Sequence, residues 1–274
     1  MKKTISLLLL IFGLTTVFSQ EDNRPEYTGE NFSLEGALAL FKKANSLEDF
    51  EQLLNQENNN VNNLDLNDDG EIDYIMVDDI QEDDTHAIVL STYLNNNEKQ
   101  DIATIGIEKT GIENALLQIE GDSDLYGENT IAEPSDIKET ITEEKGLGSG
   151  EYKATQIIVN VWLWPSVRFL YDPKYSVWHS PWHWRHYPKW WKPWHPYSYT
   201  IFYRNCEPHR ITYHRVLTRR VIVARRVYSP RRHSSTLVVH NRRGTTVIHK
   251  NKRSTVKTVN LGEKRTRVGG RGRR

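Results

Sequence analysis

In the stretch LDLNDDGEIDYIMV, Leu64 to Val77, oxygen-bearing residues fall on alternate positions: Asp65, Asn67, Asp69, Glu71 and Asp73. Side chains spaced this way around a tight turn can converge on one hard cation, and calcium takes about six to eight oxygen ligands at roughly 2.3–2.6 Å. Set against a twelve-position calcium loop, Asp65, Asn67 and Asp69 take positions 1, 3 and 5, and Asp73 takes position 9. Gly70 permits the sharp turn, Glu71 would offer its main-chain carbonyl, and Ile72 would point into a core. Position 12 departs from the pattern. Met76 stands where an EF-hand has a bidentate Glu, and YIMV reads as a strand rather than an exiting helix. The same letters also suit an Asx-rich hairpin turn, where Asn, Asp and Gly are favoured for backbone reasons alone.

With a strand leaving the loop, the stretch resembles the D-x-N-x-D-G-x-x-D loops of integrin-type and similar extracellular β-repeat proteins. That resemblance implies a Ca2+ ligand set of Asp65, Asn67, Asp69, Glu71 (through its main chain) and Asp73. It also dispenses with the missing Glu. Outside the cytosol calcium is abundant enough to fill even a site of ~10⁻⁴–10⁻³ M affinity.

The second group that could do chemistry is aromatic. All eight Trp lie between Trp162 and Trp194, interleaved with Pro165, Pro173, Pro181, Pro188 and Pro193. Within it, Trp178, Trp182, Trp184, Trp190, Trp191 and Trp194 are candidate ligand-binding rings. Such rings stack on sugars or bases, sit at a membrane–water boundary, or receive cations. The competing reading is packing on one another or on the rest of the chain, because so many exposed Trp would form a large sticky patch. His179, His183, His186 and His195 offer imidazoles for copper or zinc, but Pro181 breaks the helical spacing of His179 and His183.

Catalytic signatures are absent. The chain has no HExxH, G-x-S-x-G, P-loop or dinucleotide fingerprint. Acidic residues are so frequent in the first half that no pair is singled out for acid–base work. Cys206 is the only cysteine, which excludes an internal disulfide and cysteine-based zinc ribbons. Its neighbour His209 has no orienting partner in the surrounding basic run. These features point away from an enzyme.

A net charge of zero hides a strong polarity. Residues 21–151 hold 33 acidic against 7 basic side chains, a net of −26; residues 152–274 hold 3 against 27, a net of +24. The basic half would bind polyanions by counterion release. An anionic envelope polymer or lipid surface ranks above nucleic acid for an exported chain. The protein's own acidic half is an equally natural partner, within one molecule or between two.

Export is read from the first residues, MKKTISLLLLIFGLTTVFSQ. Two Lys precede an apolar core, and Val17 and Ser19 suit the −3 and −1 positions, so a signal peptide over 1–19 is expected. No Cys follows the core, so a lipoprotein is not expected, and no later stretch is apolar enough for a transmembrane helix. The expected localisation is periplasm or cell surface.

The elements that must position these groups follow from periodicity. Ser33 caps a helix LEGALALFKKA, and Ser46 caps a second, LEDFEQLLNQ, each with an apolar stripe. After the loop, DYIMV, HAIVLSTYL, DIATIGIEK and ALLQIE alternate between turns as an antiparallel meander. The fold class is α+β: two N-terminal helices on one face of a β-meander, then a Trp/Pro-rich segment, then a basic β-ribbon or disordered tail. The expected divisions are the signal peptide 1–19, an acidic domain 20–145, a linker 146–154, a strand plus Trp/Pro segment 155–203, and a basic low-complexity tail 204–274.

Two passages together resemble an exported, functionally uncharacterised protein family of Bacteroidota. They are LDLNDDGEIDYI through LQIEGDSDLYGENTIAEP, and NVWLWPSVRFLY with YSVWHSPWHWRHYPKWWKPW. The resemblance implies an envelope setting and a loop-plus-meander domain, and it implies no activity. The function expected is a non-catalytic exported interaction protein of the envelope or surface. Its acidic domain is stabilised by calcium, and its aromatic-basic region binds an anionic glycan, a lipid surface or another copy. An envelope glycan hydrolase with unidentified carboxylates is the alternative, and a periplasmic metal-handling protein using the histidines comes third.

Overall fold

A computed structural model describes residues 25, 27–142, 151–241 and 244–247. The expected signal peptide, residues 146–150 of the expected linker and the last part of the expected tail lie outside them. The described chain is an α+β structure, with seven α-helices and a seven-stranded antiparallel sheet beside a small two-stranded one.

Both N-terminal helices start where their caps are. The Ser33 hydroxyl accepts the Gly36 N–H at 2.9 Å and opens α1, Leu34–Lys43. The Ser46 hydroxyl accepts the Asp49 N–H at 3.1 Å and opens α2, Leu47–Leu54. Leu34, Leu38 and Phe41 meet Leu47, Phe50 and Leu54 in the core, with Phe41 and Phe50 edge to face at 5.1 Å. Each such burial contributes about 1.5–3 kcal/mol.

The sheet runs in chain order through β1 (Met76–Glu82), β2 (Thr85–Asn95), β3 (Glu98–Gly111) and β4 (Asn114–Gly121). A single-turn helix α3 (Ser123–Tyr126) leads to β5 (Ile131–Thr142) and β6 (Glu151–Ile158). The strand expected at DYIMV begins late, at Met76. Tyr74 and Ile75 stay outside it because the Asn55 side chain stands in for a neighbouring strand. Its amide donates to the Ile75 carbonyl at 2.7 Å and its oxygen accepts the Ile75 N–H at 2.8 Å.

By sequence the meander is expected to be covered on one face, yet β2 and β3 are buried on both. Ile88, Leu90, Ile105 and Ile107 join the helical core. Ala87, Val89, Thr104 and Gly106 share the opposite face by register and are also buried or close-packed. The cover on that face comes from the C-terminal half. After α4 (Pro165–Leu170), α5 (Tyr199–Asn205) and α6 (Glu207–Thr212), a strand β7 (Tyr213–Val216) pairs with Ile131–Pro134 of β5. Helix α7 (Ile222–Tyr228) then crosses β2 and β3. A Cβ on Gly106 would sit 2.8 Å from the Ala224 Cβ, so this close crossing requires glycine. The hairpin β8 (Val238–Asn241) and β9 (Gly244–Val247) follows.

Residues 204–237, expected as a ribbon or disordered tail, thus hold two complete short helices and a sheet strand. That stretch has too little apolar mass for a core of its own. Charge supplies the difference. Arg219 pairs with Glu120, Arg220 with Glu133, Arg232 with Asp122, and Arg215 with Glu30 and Glu35. Glu108 accepts the Val223 and Ala224 N–H groups at the start of α7, at 2.7 and 3.0 Å. The Trp/Pro segment begins with one short helix, α4, which tolerates Pro165 in its first turn. No helix occurs between Tyr171 and Ser198.

Candidate cation loop and aromatic groove

Leu64, Leu66 and Ile72 are buried and anchor both ends of the candidate loop in the core. Between them the polar side chains fold back on the loop's own backbone. Asp65 accepts the Asp69 and Gly70 N–H groups at 3.1 and 2.9 Å, and Asp69 accepts that of Glu71 at 3.0 Å. The Asn67 oxygen also accepts the Asp69 N–H at 3.0 Å, and the Asn67 amide donates to Asp69 at 2.9 Å. Gly70 has φ +85°, and a Cβ there would meet nothing, so conformation rather than space calls for glycine.

Asp73 differs from the others because it is buried. Its carboxylate accepts the Leu66 N–H at 2.6 Å. Burial pushes its pKa well above the usual carboxylate range, and the charges of Asp65 and Asp69 push the same way. Asp65 is raised too, by burial and by Asp69. A divalent cation would relieve the penalty that burial puts on the charged forms of Asp65 and Asp73. The oxygen-only donors suit calcium rather than a softer metal. Among the described residues, no three His, Cys, Asp or Glu side chains converge closely enough to hold a metal.

The loop has a second role as an attachment point. The Ile72 N–H donates to the Trp194 carbonyl at 2.8 Å, and His195 Nδ1 donates to the Gly70 carbonyl at 2.7 Å. Next to the loop, the Asn63 side chain grips the backbone of Tyr197, donating to its carbonyl at 3.0 Å and accepting its N–H at 2.8 Å. Asn62 donates to the Asp73 carbonyl at 2.8 Å. The Asn-rich run that ends α2 therefore ties the loop to the aromatic segment. Nothing in the local sequence pairs Asn63 with a residue so far along the chain.

Further along, the aromatic segment lies against the edge of β1. The Asp79 N–H donates to the Trp178 carbonyl at 2.9 Å and the Ser180 N–H to the Val77 carbonyl at 3.1 Å, which covers an otherwise open strand edge. Below this contact Glu51 of α2 accepts Tyr74 Oη at 2.9 Å, Ser180 Oγ at 3.0 Å and the Val77 N–H at 3.0 Å. Burial raises its pKa to about 7, and nearby Asp78 adds to the rise. Tyr74, Tyr187 and Trp191 cluster with centroids about 5 Å apart.

The six candidate rings are thus not equivalent. Trp178 packs against the core, while Trp182 and Trp184 are half-buried near the turn at Arg185, whose guanidinium lies 5.5 Å from the Trp184 ring. Trp190, Trp191 and Trp194 instead line an open groove of about 670 Å3 with Tyr197, Lys192 and the end of α2, Asn55 to Asn58. The histidines do not assemble. His183 and His186 stack at 4.3 Å, His195 serves the loop, and His179 lies 3.5 Å from Asp78. Cys206 is buried, donates to the Asn60 carbonyl, and its thiol is pushed up to about 12 by burial, the opposite of a nucleophile. The acidic turn at Asp122 and Asp124 receives Arg232.

In comparisons with family models, curated proteins and solved structures, nothing matched this chain. No helix among the described residues is long and apolar enough to cross a membrane.

Proposed function

We propose that the chain is a non-catalytic, exported interaction protein of the cell envelope. In this reading calcium at Asp65, Asn67, Asp69, Glu71 and Asp73 conditions an aromatic surface that engages an envelope polymer. The observation that carries it is the pair of bonds from Ile72 to Trp194 and from His195 to Gly70, which hang one wall of the groove on the loop. An ion that stiffens the loop would stiffen that wall. Binding is favoured over hydrolysis by the lining, which holds one carboxylate, Glu57, whereas glycoside hydrolysis ordinarily uses two facing each other.

Thermal unfolding of the full chain in chelator and in millimolar calcium, beside Asp69→Ala, tests this. A ligand specific to the folded state adds about 2.7 kcal/mol at a hundredfold excess over its Kd. A calcium-dependent rise in the parent that the variant lacks is expected. Coincident melts of the parent in chelator and calcium would overturn the calcium reading.

A further inference from the structure

We infer that the groove between the end of α2 and residues 190–197 is a binding site for an uncharged oligosaccharide. The inference rests on the proposed interaction role and narrows its ligand. A polyanion would be the first guess for a half carrying +24. Four of the arginines that suggest it are committed elsewhere: Arg215, Arg219, Arg220 and Arg232 pair with carboxylates of the acidic half. The groove itself is locally neutral. Its lining offers one cation, Lys192, and one anion, Glu57, which already accepts Tyr197 Oη at 3.2 Å. A dense negative ligand finds no cluster of positive charge there.

What the groove does offer is rings and amides. Trp190 is 49% exposed and Tyr197 40%, so both present surface to solvent. Gln56 and Asn58 are exposed on the opposite lip, and a side-chain amide gives a donor and an acceptor side by side. Aromatic faces for the apolar faces of sugar rings, with amides for hydroxyl and acetamido groups, match an uncharged glycan. The volume of about 670 Å3 falls within the roughly 300–1,000 Å3 of ligand sites. A separate observation agrees. The indole N–H groups of Trp191 and Trp194, both lining residues, are buried with no acceptor among the described residues. Unpaired buried donors are uncommon, and two of them among the lining residues suit a site completed by an acceptor-rich ligand.

The test is a titration of the full chain, followed by tryptophan fluorescence, with N-acetylglucosamine tetramer, with cellotetraose and with heparin, at physiological salt and millimolar calcium. A saturable shift with at least one uncharged tetramer is expected, weakened roughly tenfold in Trp190→Ala. The melting temperature of that variant should equal the parent's. Loss of binding without loss of folding then locates the site. Heparin binding without tetramer binding would overturn the uncharged-glycan assignment and leave the interaction role standing. Tetramer binding indifferent to Trp190→Ala would overturn the groove as its location. No response to any of the three would overturn the inference, while the calcium melts separately decide the loop.

Discussion

Residues 32–134 and residues 159–237 are held in place by different forces. The first region has a continuous apolar core, from Phe32 and Leu34 through Ile105 to Ile119 and Ala132. The second contributes fewer apolar anchors, Val161, Trp164, Val167, Leu170 and Tyr213 in that core and Val221, Ala224 and Val227 around α7, and adds many polar contacts. Its links to the first are the Arg–carboxylate pairs, the Asn63 and Ile72 backbone contacts and the Glu51 cluster. Apolar burial makes a fold self-sufficient. Polar docking makes the second region dependent on a finished first one and exposes it to pH and salt.

The most severe way to break that contrast is Phe50→Ala. It removes a fully buried ring from the α1–α2 contact and should cost about 3–5 kcal/mol. One cooperative transition at lower temperature, with both regions lost together, is the expected melt. If amides of 213–235 kept their hydrogen-exchange protection after the core had unfolded, the second region would not depend on the first.

Glu51 sharpens the contrast because it sits at the seam. Its folded pKa of about 7 lies above the ordinary 4.5, so the folded state holds the proton more tightly. Its stabilising contribution is complete below pH 4.5 and is lost as pH rises to about 7. The full span corresponds to a loss on the order of 3 kcal/mol. Urea melts at pH 5 and pH 8 should show a larger fall in the parent than in Glu51→Gln. Equal falls would remove Glu51 from the account.

A smaller effect is expected at the docking face. Arg232→Ala leaves the Asp122 carboxylate, 1% exposed, without its guanidinium, at a cost of about 2 kcal/mol once the partly exposed arginine is discounted. Arg219→Ala removes a more exposed pair and should cost less than about 1 kcal/mol, an amount that shrinks as salt is added. Chemical denaturation of the two variants at low and high salt checks the order. A reversed order would mean that burial of the carboxylate does not govern the docking.

Much of the first region was legible from short-range rules. Ser33 and Ser46 cap their helices because the capping bond spans only three residues, and the meander shows as short apolar runs separated by turns. The letters of the loop marked its turn, with Gly70 in the left-handed region and Ile72 in the core. The groove was only half legible. Its Trp were visible as a cluster, but Gln56 and Asn58 are remote from the rings in sequence and carry no local sign of the partnership.

By itself, the sequence determined the helix starts, the meander, the oxygen-rich turn and the opposite charges of the two halves, because each depends on neighbouring residues or on composition. Only the tertiary structure decided which carboxylates meet which arginines, that the basic segment covers the second face of the sheet, and which tryptophans face a groove. Those outcomes depend on contacts about a hundred residues apart, such as Arg219 with Glu120 and Asn63 with Tyr197. No periodicity encodes contacts of that span. The geometry of the folded first region selects them.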